Sequence, residues 1–283
     1  MTRRASETTT ATARDGTQLL VRGWESEGEP WGSVLLVHGL GEHSGRWERV
    51  GAQLAEAGLR VEAFDLRGHG SSGGTRAHAD RWDDLLDDVE DRLAAVGIPG
   101  IPGIPVILYG HSLGGLICAD CLLSRRPAPD LAVLSAPALG DHVGAALHRL
   151  APLIARARPR LALANPFSPD ELSRDPGVAA AYRADPLVEA KTTARLGSAT
   201  FAAADDVNAR LAAGGRLPCP TLVVHGEADT IVPPASSEPL AAAGATRRAL
   251  PGVLHEPHND PDGPAIIAEV VDWLRAEAAA GAS

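Results

Sequence analysis

The hydrophobic positions of this chain form short continuous runs that alternate with longer segments of helical spacing. The continuous runs predict buried strands at 33–37, 59–65, 106–109, 131–135, 221–224 and 246–250. The segments of helical spacing predict helices at 47–57, 80–96, 113–125, 237–243 and 265–279. Strands that alternate with helices in this way indicate an α/β fold with a mainly parallel sheet covered on both faces.

Two shorter segments depart from this alternation. Residues 8–25 alternate loosely around the turn signal Arg14-Asp15-Gly16, which predicts a β-hairpin. Residues 97–105 repeat Gly-Ile-Pro three times. Because proline blocks the interior of strands and helices, we expect a loop there.

Residues 139–215 interrupt the alternation for longer, since they are rich in alanine, arginine and proline and indicate helices with breaks. In open α/β folds, ligands bind at the carboxyl edge of the sheet. We therefore expect a core formed by residues 1–138 and 216–283, with 139–215 inserted as a helical cap or lid over that edge.

The predicted cap contains an apolar stripe with a basic border. The stripe is formed at helical spacing by Val143, Leu147, Leu150 and Ile154, and the border by Arg149, Arg156, Arg158 and Arg160. One interpretation is an amphipathic lid that touches lipid surfaces. The other is a cap helix that packs its apolar face over the cleft, and the two are compatible. Pro152 is expected to kink or end a long helix here.

Composition narrows the class of protein. The 283 residues carry a net charge of −10, so the chain has no general attraction for nucleic acid and suits a small uncharged substrate. The polar N-terminus lacks the apolar region of a signal peptide, and no run approaches the length of a membrane span. We expect a cytoplasmic protein, with transient membrane-surface contact through the cap. The sequence leaves the oligomeric state open.

The three cysteines do not suggest a disulfide framework or a metal site. Cys118 and Cys121 form a C-x-x-C inside an apolar helical segment, and no second pair of cysteines or histidines stands at metal-ligand spacing. Two small buried side chains on one helix explain the spacing better. No metal or other cofactor is predicted.

Gly110-His111-Ser112-Leu113-Gly114 fits the pattern G-x-S-x-G, which is typical of a nucleophile elbow. The pattern is short, but here a predicted strand precedes it and a predicted helix follows it. Glycines are needed because the serine sits in a tight, strained turn with little room beside it. Ser112 is therefore the predicted nucleophile.

A serine hydroxyl needs a base, and the base needs an orienting carboxylate. In elbow-bearing α/β folds, the acid and then the histidine follow the serine along the chain. Asp229 follows the strand at 221–224, with Glu227 as the local alternative. His255 follows the last strand, with His258 three residues later as the alternative. We favour Asp229 and His255.

The remaining parts of the predicted site are hydrogen-bond donors for an oxyanion. The backbone of Leu113, next to the nucleophile, should supply one donor, and Leu40 in the loop after the strand at 33–37 the other. The other histidines beside motif glycines are expected to pack loops; they are His38, His69, His111 and His225.

These residues resemble the monoacylglycerol lipases and their close relatives in the α/β-hydrolase superfamily, the serine aminopeptidase S33-like group. Residues 38–47 are similar to the HGxGEHSGRY segment of these lipases, and residues 65–73 to their GHG-x-S-x-G loop. Residues 172–175 and 182–187 look like their cap-to-core segment. The resemblance covers about residues 15–275 and is looser in the cap.

The resemblance implies a mostly parallel eight-stranded sheet flanked by helices, with a helical cap. It assigns Ser112 as nucleophile, Asp229 as acid, His255 as base, and Leu40 and Leu113 as oxyanion donors. It implies cofactor-free hydrolysis of a monoacylglycerol to a fatty acid and glycerol. The Gly-Ile-Pro repeat departs from the family. With only three Phe and two Tyr, the acyl pocket cannot be sized from the sequence.

Other functions fit the same residues. Lysophospholipase, general carboxylesterase, peptidase and carbon–carbon bond hydrolase activities use the same kind of triad. Epoxide hydrolases and dehalogenases of this fold usually carry Asp at the elbow, where this chain has Ser112. A binding protein that kept the fold and lost catalysis is disfavoured, because no predicted triad residue is missing.

Overall fold

A computed structural model describes residues 5–97 and 104–281 of the chain. The strands are β1 (Glu7–Thr12), β2 (Gln18–Trp24), β3 (Gly32–Val37), β4 (Leu59–Phe64), β5 (Val106–His111), β6 (Leu131–Ser135), β7 (Ala162–Ala164), β8 (Lys191–Thr193), β9 (Thr221–Gly226) and β10 (Thr246–Leu250). The helices are α1 (Glu48–Glu56), α2 (Trp82–Val96), α3 (Leu113–Leu123), α4 (Ala145–Ala157), α5 (Pro176–Ala184), α6 (Ala194–Ala212), α7 (Glu238–Ala242) and α8 (Gly263–Gly281). Most of the predicted Gly-Ile-Pro loop, residues 98–103, lies outside the described residues.

Eight strands form one sheet in the order β1-β2-β4-β3-β5-β6-β9-β10. Strands β4, β3, β5, β6, β9 and β10 run parallel, whereas β1 pairs antiparallel with β2, and β2 antiparallel with β4. The mostly parallel eight-stranded sheet is thus confirmed, as is the N-terminal hairpin. The parallel order places the carboxyl ends of β3, β5 and β9 along one edge.

Both faces of the sheet are buried, which explains why its strands are continuous apolar runs. Successive side chains of a strand point to opposite faces. Leu35 and Val37 of β3 join a cluster with α2 and α3, whereas Val34 and Leu36 join a second cluster with α1 and α8. The elements that carry the site therefore rest on a core packed from two sides.

The segment 139–215 contains α4, the short antiparallel ribbon β7–β8, α5 and α6. The ribbon was not predicted, because each strand has three residues and its partner lies far along the chain. Pro152 was expected to end or kink a helix. It does not end one, because α4 continues through Pro152 to Ala157. Pro152 is exposed at this position. No helix in residues 5–97 and 104–281 is both long and apolar enough to cross a membrane.

Contacts from residues 172–174 hold the loop that follows β10. Glu256 donates its backbone N–H to the Leu172 carbonyl at 2.7 Å, and Ser173 Oγ donates to the Asn259 carbonyl at 2.8 Å. Arg174 binds the Asp260 carboxylate through both its Nε and Nη2. The loop that carries His255 is therefore fixed from the side of the segment 139–215 as well as by the sheet.

Candidate active site

Ser112 occupies a strained turn between β5 and α3. Its backbone has φ 52° and ψ −117°, a region that residues with a side chain rarely adopt. A Cβ at Gly110 would lie 2.5 Å from the Gly114 carbonyl oxygen, and a Cβ at Gly114 would overlap the Val37 carbonyl oxygen. The two motif glycines are therefore required by close backbone approach, and the turn lifts Ser112 out of the sheet.

Ser112, His255 and Asp229 form one hydrogen-bonded chain. Ser112 Oγ lies 3.0 Å from His255 Nε2, and His255 Nδ1 lies 2.8 Å from Asp229 Oδ2. Because a carboxylate can only accept, Nδ1 carries the proton and Nε2 is free to accept the serine hydroxyl proton. The structure brings the three predicted residues together in the arrangement that activates a serine nucleophile.

Asp229 is buried, and four donors surround its carboxylate. Oδ1 accepts from the backbone N–H of Ile231 at 2.8 Å and of Val232 at 2.9 Å, while Oδ2 accepts from His255 and, at 3.1 Å, from His225. Burial alone would raise the pKa of Asp229, but His255 and the other donors hold that pKa below its usual range. Asp229 is therefore a carboxylate at neutral pH. Glu227, the alternative acid, is exposed.

His255 and His258 occupy contrasting positions. Burial disfavours the charged form of His255, but the Asp229 carboxylate outweighs burial and raises the pKa of His255 above its ordinary value. His258 stacks on Trp47 with ring centroids 4.1 Å apart. Neither ring nitrogen of His258 has a hydrogen-bond partner among the described residues, and burial lowers its pKa to about 3. His258 is a neutral packing group and does not reach Ser112.

Leu40 and Leu113 lie beside Ser112 at the wall of a cavity. Within residues 5–97 and 104–281, neither of their backbone N–H groups has an acceptor. Leu113 is the first residue of α3, so its N–H also lies at the positive end of that helix dipole. These two donors are free to bind a developing oxyanion.

The loop that carries Leu40 is held by its neighbours. His38 accepts the Leu66 N–H at 2.9 Å through Nε2 and donates to the Gly39 carbonyl at 2.8 Å through Nδ1. Gly39 N–H is engaged by Glu42 at 2.6 Å. The polar groups next to Leu40 thus have partners, and the Leu40 N–H stays available to a bound substrate. They also agree with the prediction that His38 packs a loop.

The cavity at Ser112 has a volume of about 120 Å³ and mostly apolar walls. Aromatic and aliphatic side chains from residues 138–204 form part of the lining; among them are Val143, Phe167, Leu172 and Phe201. Two of the three phenylalanines of the chain therefore line this cavity. Their role could not be seen in the sequence, because they lie in the segment where the pattern is weakest.

A buried charged cluster also lines the cavity. Arg46 binds both carboxylate oxygens of Glu256, at 2.6 and 2.9 Å, and one oxygen of Glu42 at 2.9 Å. Its guanidinium also lies 4.8 Å from the centre of the Tyr182 ring. The Tyr182 hydroxyl is buried without a partner in the described chain. A substrate with hydroxyl groups would find donors and acceptors here.

The pKa values of the two carboxyl groups in this cluster are shifted in opposite directions. Burial raises the pKa of Glu42, and the nearby Glu256 adds to that rise. Burial also opposes ionisation of Glu256, but the bidentate contact with Arg46 holds the pKa of Glu256 below its usual range. The Glu256 carboxylate is therefore a counter-ion for the Arg46 guanidinium in this cavity wall.

The sequence did not reveal the role of His225. It was expected to pack a loop, yet its Nε2 is the second side-chain donor to Asp229, 3.1 Å from Oδ2. Its position at the end of β9, four residues before Asp229, is the only signal that could have indicated this contact. Cys118 and Cys121 are buried, and burial raises the pKa of Cys121 to about 12, as expected for inert packing residues.

Comparison with known proteins agrees with this geometry. The family model described as serine aminopeptidase, S33 (Hydrolase_4) matches residues 28–262. The chain belongs to this family. The match spans the elbow, the acid, the histidine and the segment between them.

This chain is 37% identical to the monoacylglycerol lipase of Mycolicibacterium smegmatis, over 92% of this chain and 93% of the relative. The crystal structure of Paleococcus ferrophilus monoacylglycerol lipase superposes with a TM-score of 0.81 at 32% identity, covering 92% of this chain and 99% of the other. A soluble variant of monoglyceride lipase from Saccharomyces cerevisiae, solved with a substrate analog, gives a TM-score of 0.87 at 21% identity, covering 97% and 96%. The last shows the shared fold.

Proposed function

We propose that this chain is a monoacylglycerol lipase that releases a fatty acid and glycerol through an acyl-enzyme on Ser112. It is a carboxylic-ester hydrolase of the α/β-hydrolase fold. The proposal adds the substrate and the roles of individual residues. The observation that carries it is the Ser112–His255–Asp229 chain beside a cavity whose lining is mostly apolar but includes the polar side chains of Glu42, Arg46 and Glu256.

In the first half-reaction, Ser112 Oγ attacks the ester carbonyl carbon while His255 Nε2 takes the hydroxyl proton. The carbonyl oxygen gains negative charge and accepts hydrogen bonds from the backbone N–H groups of Leu40 and Leu113. The C–O bond to glycerol then breaks, and His255 gives its proton to the departing glycerol oxygen. The product is an acyl-Ser112 ester and free glycerol.

In the second half-reaction, water takes the place of glycerol. His255 removes a proton from the water as its oxygen attacks the acyl carbon, and the same two N–H groups hold the oxyanion. The bond to Ser112 Oγ breaks and His255 returns the proton to it. Asp229 stays ionised throughout and holds the Nδ1–H tautomer of His255.

The cavity supports a neutral head group over a charged one. Arg46, the cation that lines it, is already bound to Glu256 and Glu42. A lysophospholipid would bring a phosphate that finds no unengaged cation among the residues lining the cavity. Glycerol hydroxyls need only hydrogen bonds, which the Tyr182 hydroxyl and the Glu42 carboxyl group can make.

The proposal also covers the segment 139–215 as a cap that contacts membrane surfaces. Leu150 and Leu153 of α4 are 50% and 65% exposed, and exposed arginines flank them at positions 149, 156, 158 and 160. Leucines beside arginines suit the boundary of an anionic lipid surface. We retain the cytoplasm, with transient contact at a membrane surface, as the proposed location.

A substrate panel tests the proposed function. The chain, Ser112→Ala and the loop variant Ser26→Ala are assayed against monooleoylglycerol, lysophosphatidylcholine and an aminoacyl p-nitroanilide. We expect monooleoylglycerol to give the highest kcat/KM, a loss of about 10⁴-fold or more in Ser112→Ala, and no loss in Ser26→Ala. A higher kcat/KM for either other substrate would overturn the assignment of substrate, and equal rates in Ser112→Ala would overturn the nucleophile.

A further inference from the structure

A second apolar cavity of about 150 Å³ adjoins the cavity at Ser112. It lies between α4, α6 and the β7–β8 ribbon, and its walls include Leu147, Ala151 and Ile154 of α4 and Leu163 of β7. Five residues line both cavities: Leu40, Val143, Pro166, Thr200 and Phe201. The two cavities are therefore separated only by a thin boundary of side chains.

Of the five polar side chains that line the second cavity, all but Ser198 form hydrogen bonds with other groups of the chain. Asn165 donates to the Glu189 carbonyl at 2.8 Å and accepts from the Thr192 hydroxyl at 2.6 Å. The hydroxyls of Thr193 and Thr200 donate to the Ala77 and Leu196 carbonyls. Since these groups face partners of their own chain, the cavity offers a ligand mainly apolar surface, which suits an alkyl chain.

Phe201 is the largest of the five boundary side chains, and its ring is held in place. It stacks on the His148 ring of α4 with centroids 4.2 Å apart and planes at 28°. His148 Nε2 is in turn 3.0 Å from Asp141 Oδ1, which also accepts the Val143 N–H at 2.7 Å. The Phe201 ring is thus held by His148, which Asp141 holds in turn.

We infer that Phe201 is a specificity-determining residue that limits how far an acyl chain on Ser112 extends, and that the second cavity receives the distal end of longer chains. This inference rests on the proposed function. His148 is a positioning residue that acts through the Phe201 ring. Each further methylene that is buried rather than left in water favours binding by a factor of about four, so two or three carbons suffice for a clear change in preference.

The direct test measures kcat/KM for monoacylglycerols of eight to eighteen carbons with the unaltered chain, Phe201→Ala and Phe201→Leu. Leu187→Ala is the control, because Leu187 lies in the same segment 139–215 and lines neither cavity. We expect the ratio of kcat/KM for long to medium chains to rise about tenfold or more in Phe201→Ala, less in Phe201→Leu, and to stay unchanged in Leu187→Ala. An unchanged ratio in both Phe201 variants, or an equal rise in Leu187→Ala, would overturn the inference.

The role of His148 is tested by the same length series. His148→Ala should raise the long-to-medium ratio in the same direction as Phe201→Ala, because the ring loses its stacking partner. His148→Phe keeps an aromatic ring there and should restore the original ratio. A general structural role would instead lower kcat/KM for all chain lengths alike in both variants, and that result would contradict the assignment.

A binding measurement separates this inference from the proposed function. Ser112→Ala, with and without Phe201→Ala, is titrated calorimetrically with free fatty acids of eight to eighteen carbons. We expect the preferred length to increase by several carbons when Phe201 is replaced, whatever the outcome of the turnover assays. If monoacylglycerols are not hydrolysed but this shift is seen, the proposed function is wrong and the role of Phe201 in limiting chain length is supported. If the preferred length is unchanged, the inference about Phe201 is wrong.

Discussion

The elbow at Ser112 and the helix α4 represent opposite ways of building a site. Around the elbow, the backbone is so closely packed that a single added Cβ at Gly110 or Gly114 would collide with a carbonyl oxygen. On α4, by contrast, Leu150 and Leu153 face outward and half or more of each side chain is exposed. The first region fixes the position of Ser112, and the second presents an apolar surface with no partner in the described chain.

Under the proposed function, chemistry and substrate choice belong to different parts of the molecule. Ser112, Asp229 and His255 all follow strands of the central sheet, whose two packed faces hold them in register. Many of the apolar residues that line the two cavities come from 139–215. Changes in the core should therefore affect every substrate, whereas changes in that segment should affect long and membrane-bound substrates selectively.

The largest effect on the core side is expected from Asp229→Asn. The amide can present an N–H to His255 and stabilise the wrong tautomer, so kcat should fall about 10⁴-fold for short and long esters alike. Glu227→Gln, at the exposed alternative acid, is the control and should leave kcat within about twofold. The rates of both variants are measured on p-nitrophenyl butyrate and on monooleoylglycerol. A loss on only one of these substrates would contradict the claim that changes in the core affect all substrates alike.

A large loss of stability is expected from Gly114→Ala. The new Cβ would overlap the Val37 carbonyl oxygen, and moving a central strand should cost about 3 kcal/mol in the free energy of unfolding. Gly197→Ala in α6 is the matched control, because a Cβ there has open space and should stabilise the helix by up to about 1 kcal/mol. Urea unfolding measures both. Similar unfolding free energies for the two variants would contradict the close packing of the elbow.

The surface of α4 should matter for membrane-bound substrate only. Replacing Leu150 and Leu153 by Ser should lower turnover of monooleoylglycerol in anionic vesicles about tenfold, since less apolar area enters the interface. Turnover of soluble p-nitrophenyl butyrate should change less than twofold. Leu187→Ser, another exposed leucine outside α4, is the control. An equal loss on both substrates would show that the leucines support the fold instead of a lipid contact.

A smaller effect is expected from pH. His255 must be neutral to accept the Ser112 proton, and its pKa is raised, so kcat/KM should rise with pH through an inflection above the ordinary histidine value of about 6.5. In Asp229→Asn, where burial remains and the carboxylate is gone, the pKa of His255 should fall. NMR titration of the His255 ring protons measures both values. An unchanged pKa of His255 in the variant would contradict the claim that the Asp229 carboxylate raises it.

The same pKa shift has a consequence for stability. Because the pKa of His255 is higher in the folded than in the unfolded chain, the protonated group favours the folded state. This contribution is full below the unfolded pKa and is lost as pH rises through the folded pKa. The protein therefore gives up a little stability over the pH range in which the site becomes active.

The sequence predicted those parts of the site that depend on local constraint. Gly110 and Gly114 could be predicted because only glycine fits beside the elbow. His255 and Asp229 could be predicted because each follows a strand. The sequence already favoured Asp229 over Glu227. The structure adds the burial of Asp229 and the four donors around its carboxylate.

Other parts were hidden because their partners lie far apart in the chain. Arg46 and Glu256 are 210 residues apart, and nothing in either local pattern indicates that they bind each other. Strands β7 and β8 are too short to show periodicity and pair across the predicted cap. Phe201 sits on a helix rich in alanine, where its contact with His148 depends on how α4 and α6 pack.

The central claim, that Ser112 becomes acylated by a monoacylglycerol, is tested most directly by trapping the intermediate. The chain is mixed with monooleoylglycerol, quenched in acid within milliseconds, digested and analysed by mass spectrometry. The account predicts an oleoyl group on the peptide that contains Ser112, and a strongly reduced acylated fraction in His255→Ala, where the Ser112 hydroxyl has lost its base. Glycerol release from the unaltered chain without any oleoyl adduct on that peptide would contradict the account.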